Sequence, residues 1–86
     1  MGDMVKPETL RALVEAGSVR DALVTADGRK WHVEISVGMA RRAVATRRGQ
    51  LRQWSSLDAV ARYLRGMGVA RWMVDAADMS EQEAML

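Results

Sequence analysis

Trp31-His32-Val33-Glu34-Ile35-Ser36-Val37 decides the fold. Apolar residues at 31, 33, 35 and 37 alternate without a break with polar residues at 32, 34 and 36. That is the period of a strand with one face buried and the other wet. Just upstream, Asp27-Gly28 is a hairpin signal, because glycine supplies the positive φ of a tight turn. Val19 to Thr25, on the far side of that turn, is strand-like, so a β-hairpin is expected here.

Downstream, Gly38-Met39-Ala40 breaks the alternation. Arg42 to Thr46 and Leu51 to Trp54 read as a second hairpin, with Arg47-Arg48-Gly49-Gln50 at its turn and Val44 and Trp54 inward. Ser55-Ser56-Leu57-Asp58 has the form of a capping box, with Ser55 as the cap and Asp58 three residues on. Leu57, Val60, Ala61, Leu64 and Met67 then fall on one helical face, and Gly66 or Gly68 can stop the helix. Val69 to Val74 reads as a last strand. Upstream, Lys6-Pro7-Glu8-Thr9 marks a helix start, with Pro7 at the first helical position. Leu10, Leu13 and Val14 follow at helical spacing, and Gly17 suits a left-handed cap.

The expected fold is α+β: an antiparallel sheet of three to five strands packed on one or two helices, in the order α-β-β-β-β-α-β. Its core should hold Trp31, Val33, Ile35, Val44, Trp54, Leu57, Val60, Leu64 and Val74, with Met67 and Met73 at core positions. The chain of 86 residues suffices for one domain, 1–86, with 1–5 and 79–86 as loose ends. So small a domain buries a modest share of its surface.

Composition excludes several function classes. There is no cysteine, hence no disulfide and no thiolate chemistry. No run approaches the roughly 20 apolar residues that span a bilayer, and the N-terminus lacks an apolar signal core. A soluble, cytoplasmic protein is expected, without cofactor or metal. The single histidine, His32, lies on the polar side of its strand and is read as a surface residue. Ser36, on its own face four residues along, is too far from it for nucleophilic catalysis. Ser55 and Ser56 serve as caps. Gly66-x-Gly68 lacks the strand and helix that frame a phosphate loop. Glu81 and Glu83 fall in the C-terminal end. Enzymatic activity is not expected.

Charge is the remaining signal. Residues 29–71 hold ten basic and two acidic residues, a formal +8; the rest of the chain is −6. Arg41, Arg42, Arg47, Arg48 and Arg52 are arginines suited to bidentate phosphate contacts. Arg29 and Lys30, at the tip of the first hairpin, extend the patch, and Gln50 and Gln53 are candidates for base edges. The uncovered sheet face is expected to display these arginines. Trp31, Trp54 and Trp72 are assigned to packing rather than base stacking. The charge split and an unpaired sheet edge point to a homodimer. The competing account is a monomer whose acidic end covers its own arginines.

A set of spacings runs through the chain: Val19-Arg20, the Asp27-Gly28 turn before Trp31, Gly38-Met39-x-x-Arg42, Ala45-Thr46-x-Arg48-Gly49, Arg52-x-Trp54, Ser56-Leu57-Asp58, Leu64-x-x-x-Gly68-Val69 and Val74-Asp75-Ala76. Together they resemble the small ParC-like, partition-associated proteins of plasmids and integrative elements, over roughly Leu10 to Met79. Members often carry Phe where this chain has Trp54 and Trp72, a swap that keeps a large aromatic plug. The resemblance implies a non-enzymatic accessory of mobile-element maintenance, acting near DNA or a DNA-bound protein. Two functions from different classes follow. One is a maintenance accessory that binds nucleic acid, or a protein on it, through the arginines. The other is an inhibitor of a host defence complex, of the anti-CRISPR kind, acting by protein–protein binding.

Overall fold

The alternation at 31–37 becomes the central strand of a five-stranded sheet. The structure, a computed structural model, describes residues 4–79. In chain order the elements are β1 (Met4–Val5), α1 (Pro7–Glu15), β2 (Val19–Asp27), β3 (Lys30–Val37), β4 (Ala40–Val44), α2 (Leu57–Met67) and β5 (Met73–Asp75). The spatial order is β1-β4-β3-β2-β5. The expected antiparallel sheet holds for β2, β3 and β4, while β1 on β4 and β5 on β2 pair in parallel. Every strand except β3 therefore runs the same way. The end where those four finish is called upper below, and the opposite end lower.

Two tight turns build the centre. Gly28 (φ 65) and Gly38 (φ 58) each stand first in a two-residue turn, and among the described residues only glycines have positive φ. Positive φ confined to the first turn position is the type II′ pattern, whose twist matches that of the flanking strands. The break read at Gly38-Met39 is thus a hairpin turn, with Val37 opposite Ala40.

The second expected hairpin keeps its turn and loses its return strand. Thr46 N–H donates to the Gln50 carbonyl at 2.7 Å, and Gly49 N–H to the Thr46 carbonyl at 2.9 Å. Beyond it, Leu51 bridges Ala45 and Trp54 bridges Trp31. β4 leaves β3 after the Glu34–Ala43 pair, and the segment carrying Trp54 takes the vacated place beside Trp31. The fourth strand position of the expected order is filled by these two bridges.

α1 begins at Pro7 with no side-chain cap. It ends in a Schellman arrangement: Gly17 N–H donates to Val14 and Ser18 N–H to Leu13. α2 is capped by Ser56, whose Oγ accepts from Ala59 N–H at 3.2 Å, so the cap is Ser56 and not Ser55. Asp58 accordingly sits one position earlier than a capping box requires, where its charge still favours the helix N-terminus. Gly68 closes α2 at φ 97, with its pro-Cβ position 3.1 Å from Val14 Cγ1. Positive φ and a crowded neighbour both favour glycine there.

Each helix is the crossover of a parallel β-α-β unit, β1-α1-β2 and β4-α2-β5. Two crossovers moving the same way across one sheet place both helices on one face when both are right-handed. One core results, formed by Val24, Val33, Ile35 and Val44 of the sheet with Leu10, Val60 and Leu64 of the helices, all fully buried.

Three core expectations are corrected. Leu57 is 40% exposed, because it opens the first turn of α2. Val74 and Met73 are 46% and 70% exposed, because β5 is a three-residue edge strand. The last strand is correspondingly shorter than Val69 to Val74, with 70–72 outside it. Met4 and Val5, read as part of a loose end, form β1, and Val5 is buried against the core. At the other end Met79 bridges Gly28. The expectations for Glu81, Glu83 and the C-terminal end from 80 lie outside the described residues.

Candidate functional site

Strand period divides the arginine run. Neighbouring residues of a strand face opposite sides of the sheet. Arg41 pairs opposite Ser36 and faces the open side; Arg42 pairs opposite Ile35 and faces the helices. The open face also carries Asp21, Asp27, Glu34 and Asp75, by register with Ser36, Lys30, Leu23 and Thr25. His32 sits among them, with Nδ1 2.5 Å from Asp27 Oδ2 and Nε2 3.2 Å from Glu34 Oε2. Arg41 Nη1 completes the line, 3.8 Å from Glu34 Oε1. The expected display of arginines on this face is therefore corrected. The face is mixed: by register it carries Asp21, Asp27, Glu34 and Asp75 with Lys30 and Arg41, and Arg41 is paired.

The other candidates gather at the upper end. Arg47 and Arg48 are exposed in the 46–50 turn. Arg47 shares a shallow cleft with Lys6, Pro7 and Glu8, at the start of α1. Gln50 is exposed beside them, its backbone N–H held by Thr46 Oγ1 at 3.2 Å. Arg29 and Lys30, in and after the β2–β3 turn, stand at the same end of the sheet. Two strand spacings of about 4.8 Å separate β2 from β4, so these turns lie roughly 10 Å apart across the sheet. Both helices also begin at this end, at Pro7 and Leu57. Their N-termini carry unpaired N–H groups and partial positive charge. Open sheets with crossover helices place ligands at this end of their parallel strands for the same reason.

Arg52 is held differently. Its guanidinium lies 5.2 Å from the Trp54 ring centroid and 5.4 Å from that of Tyr63. The two rings pack with centroids 5.0 Å apart. Stacking fixes the direction of this cation while leaving its N–H groups for a ligand. Burial pushes the Tyr63 phenol above its ordinary value, and the nearby Arg52 and Arg11 oppose that shift. The Tyr63 hydroxyl is buried, with no hydrogen-bond partner among the described residues. Trp31 and Trp54 are buried, as their assignment to packing requires; Trp72 is half-buried at the edge of the core.

Lys6 and Arg11 were absent from the sequence candidates. Lys6 had a signal: it directly precedes a helix start, so its position at a helix N-terminus was readable. Arg11 had none, since its place beside Tyr63 depends on how α1 meets α2. Among the described residues, no three of His, Cys, Asp and Glu converge as a metal-binding group, and no helix is long and apolar enough to cross a membrane.

Fold and surface together define a small α+β protein with a one-sided helix layer and arginine-bearing turns at its upper end. A ParC-like family model matches residues 5–80, and the chain belongs to that family. No curated protein and no solved structure matches it.

Proposed function

We propose that this ParC-like protein is a non-enzymatic accessory of plasmid or integrative-element maintenance, and that it binds nucleic acid directly through its upper end. One observation supports this reading above the others. The fold gathers Lys6, Arg47, Arg48 and Arg52 at the end where both helices begin, among the acids Glu8, Asp27 and Asp58, while Asp21 and Glu34 lie further down the open sheet face. Phosphates are the ligands such an end attracts. Arg47 and Arg48 anchor the backbone as exposed, adaptable cations; Arg52 is the pre-oriented one. A partner protein already on DNA would meet the same charges and is the nearest alternative. Inhibition of a host defence complex has one supporting feature, the acidic open face, which suits a basic nucleic-acid channel.

Titration with duplex and single-stranded DNA at several salt concentrations tests the proposal. Each neutralised phosphate contributes about 0.9 to the slope of log affinity against log salt on duplex DNA. Arg47→Ala with Arg48→Ala should therefore lower the slope by nearly two and leave the fold intact. Absence of binding to either DNA at low salt sinks direct recognition and favours a protein partner.

A further inference from the structure

The lower end of the molecule carries a second surface, and the inference drawn from it goes beyond the reading of the upper end. β5 pairs with β2 only at Leu23, Val24 and Thr25. Continued downward, that register would set Ala22 opposite Trp72 and Asp21 opposite Arg71. Residues 70–72 take no strand conformation, and no pairing is formed there. The two segments splay apart around a cleft of about 570 Å³, which lies between Arg20, Asp21 and Ala22 on one side and Arg71, Trp72 and Met73 on the other.

Three properties of this cleft converge. Its β2 wall is a strand edge, whose free backbone groups are spaced to receive an extended chain. Its opposite wall is apolar and accessible, with Trp72 half-buried and Met73 70% exposed. Two exposed arginines flank it. Among the described residues Arg71 is in no salt bridge, and Arg20 donates to the Gly38 carbonyl at 3.4 Å without a carboxylate partner. Asp21 is the one acid lining the cleft; its register with Ser36 puts it on the open-face side, where Met73 also lies by register with Leu23. A strand edge offers main-chain hydrogen bonds that match a peptide backbone, which sets a peptide above a nucleotide as occupant. On a strand added to that edge, the anions a guanidinium can hold bidentately are side-chain carboxylates.

We propose that the cleft binds an extended acidic peptide segment of a partner protein. The segment adds as a strand along the lower half of β2. Its carboxylates meet Arg20 and Arg71, and an apolar side chain rests on Trp72 and Met73. With nucleic acid at the upper end, the protein would join an acidic partner to DNA.

The probe is a fluorescein-labelled octapeptide of alternating glutamate and valine. A lysine–valine octapeptide and an oligothymidylate of the same length are the counter-probes. Anisotropy gives affinity, and backbone and indole ¹⁵N–¹H spectra give the location. The expected result is saturable binding that moves residues 19–22, residues 70–73 and the Trp72 indole. Arg20→Ala with Arg71→Ala should weaken it by about tenfold, as two partly exposed ion pairs allow, with the remaining spectrum unchanged. The proposal is overturned by equal binding of the lysine–valine peptide or by oligothymidylate moving the same signals more strongly. It is also overturned by no shift at millimolar peptide, or by ultracentrifugation showing self-pairing of the protein through this edge.

Discussion

The open face of the sheet and its upper end carry charges of similar density and put them to different use. On the open face Asp27, His32, Glu34 and Arg41 form one line of contacts across neighbouring strands. Strand pairing holds such side chains about 5 Å apart, so opposite charges find one another, with carboxylates left in excess. At the upper end the cations sit on turns and a helix approach. Arg47 and Arg48 have no strand opposite them to supply carboxylates, and Arg52 is held by aromatic rings. Backbone geometry, more than composition, thus decides which charges remain available to a partner.

The largest expected effect concerns the scaffold that both regions share. Leu64, on the inner face of α2, is fully buried. Leu64→Ala should cost about 2–5 kcal/mol, much of the stability of a domain this small. Thermal denaturation checks it, and an unchanged melting temperature would mean that α2 does not hold the sheet as described.

Arg52→Ala sharpens the difference between stacked and free cations. Loss of its contacts with Trp54 and Tyr63 should destabilise the fold by about 0.5–2 kcal/mol, while Arg48→Ala should change stability by less than about 0.5 kcal/mol. Chemical denaturation of the two variants side by side separates a structural arginine from a purely surface one.

A smaller effect should come from the open face. Asp27→Asn with Glu34→Gln breaks up the line through His32. Stability should fall by no more than about 1 kcal/mol, as is usual for exposed pairs. DNA affinity should rise only a few-fold, because Asp27 adjoins the Gly28-Arg29 turn while Glu34 lies four strand residues further down, roughly 13 Å and beyond a Debye length of about 8 Å at physiological salt. A large gain in affinity would show that the two regions are electrostatically coupled.

Tyr63 gives the smallest effect at neutral pH. Its hydroxyl is buried and, among the described residues, unpartnered, so Tyr63→Phe should be close to neutral or slightly stabilising. Its phenol titrates above the ordinary value of 10.0 in the folded state. The folded state therefore holds this proton more tightly than the unfolded chain does. Stability from this source is fully present below about pH 10 and is lost as pH rises through the folded value. Melting curves from pH 8 to 11 should show less alkaline loss in Tyr63→Phe than in the parent.

Much of the centre was legible in the sequence. Unbroken alternation fixed β3, Asp27-Gly28 fixed the first hairpin, and the stripe through Val60, Leu64 and Met67 fixed the buried side of α2. Local signals could not reveal the parallel pairings. A two-residue β1 and a three-residue β5 carry no period of their own and exist because crossovers deliver them to the sheet edges. The capping serine was missed by one residue because Ser55 and Ser56 are chemically alike. For the site, the charge run drew attention to Arg47, Arg48 and Arg52, which the fold sets on and just after the 46–50 turn. The separation of Arg41 from Arg42 was readable in principle, since a run of like residues in a strand must divide between two faces. That the two helix N-termini meet those arginines at one end followed only from topology.

The most direct measurement is a ¹⁵N–¹H shift map of the protein titrated with a short DNA duplex at low salt. The account predicts saturable shifts at residues 6–8, 28–30 and 46–52, with residues 32–36 and Arg41 nearly still. Shifts centred on the open face, or an unchanged spectrum throughout, would contradict it.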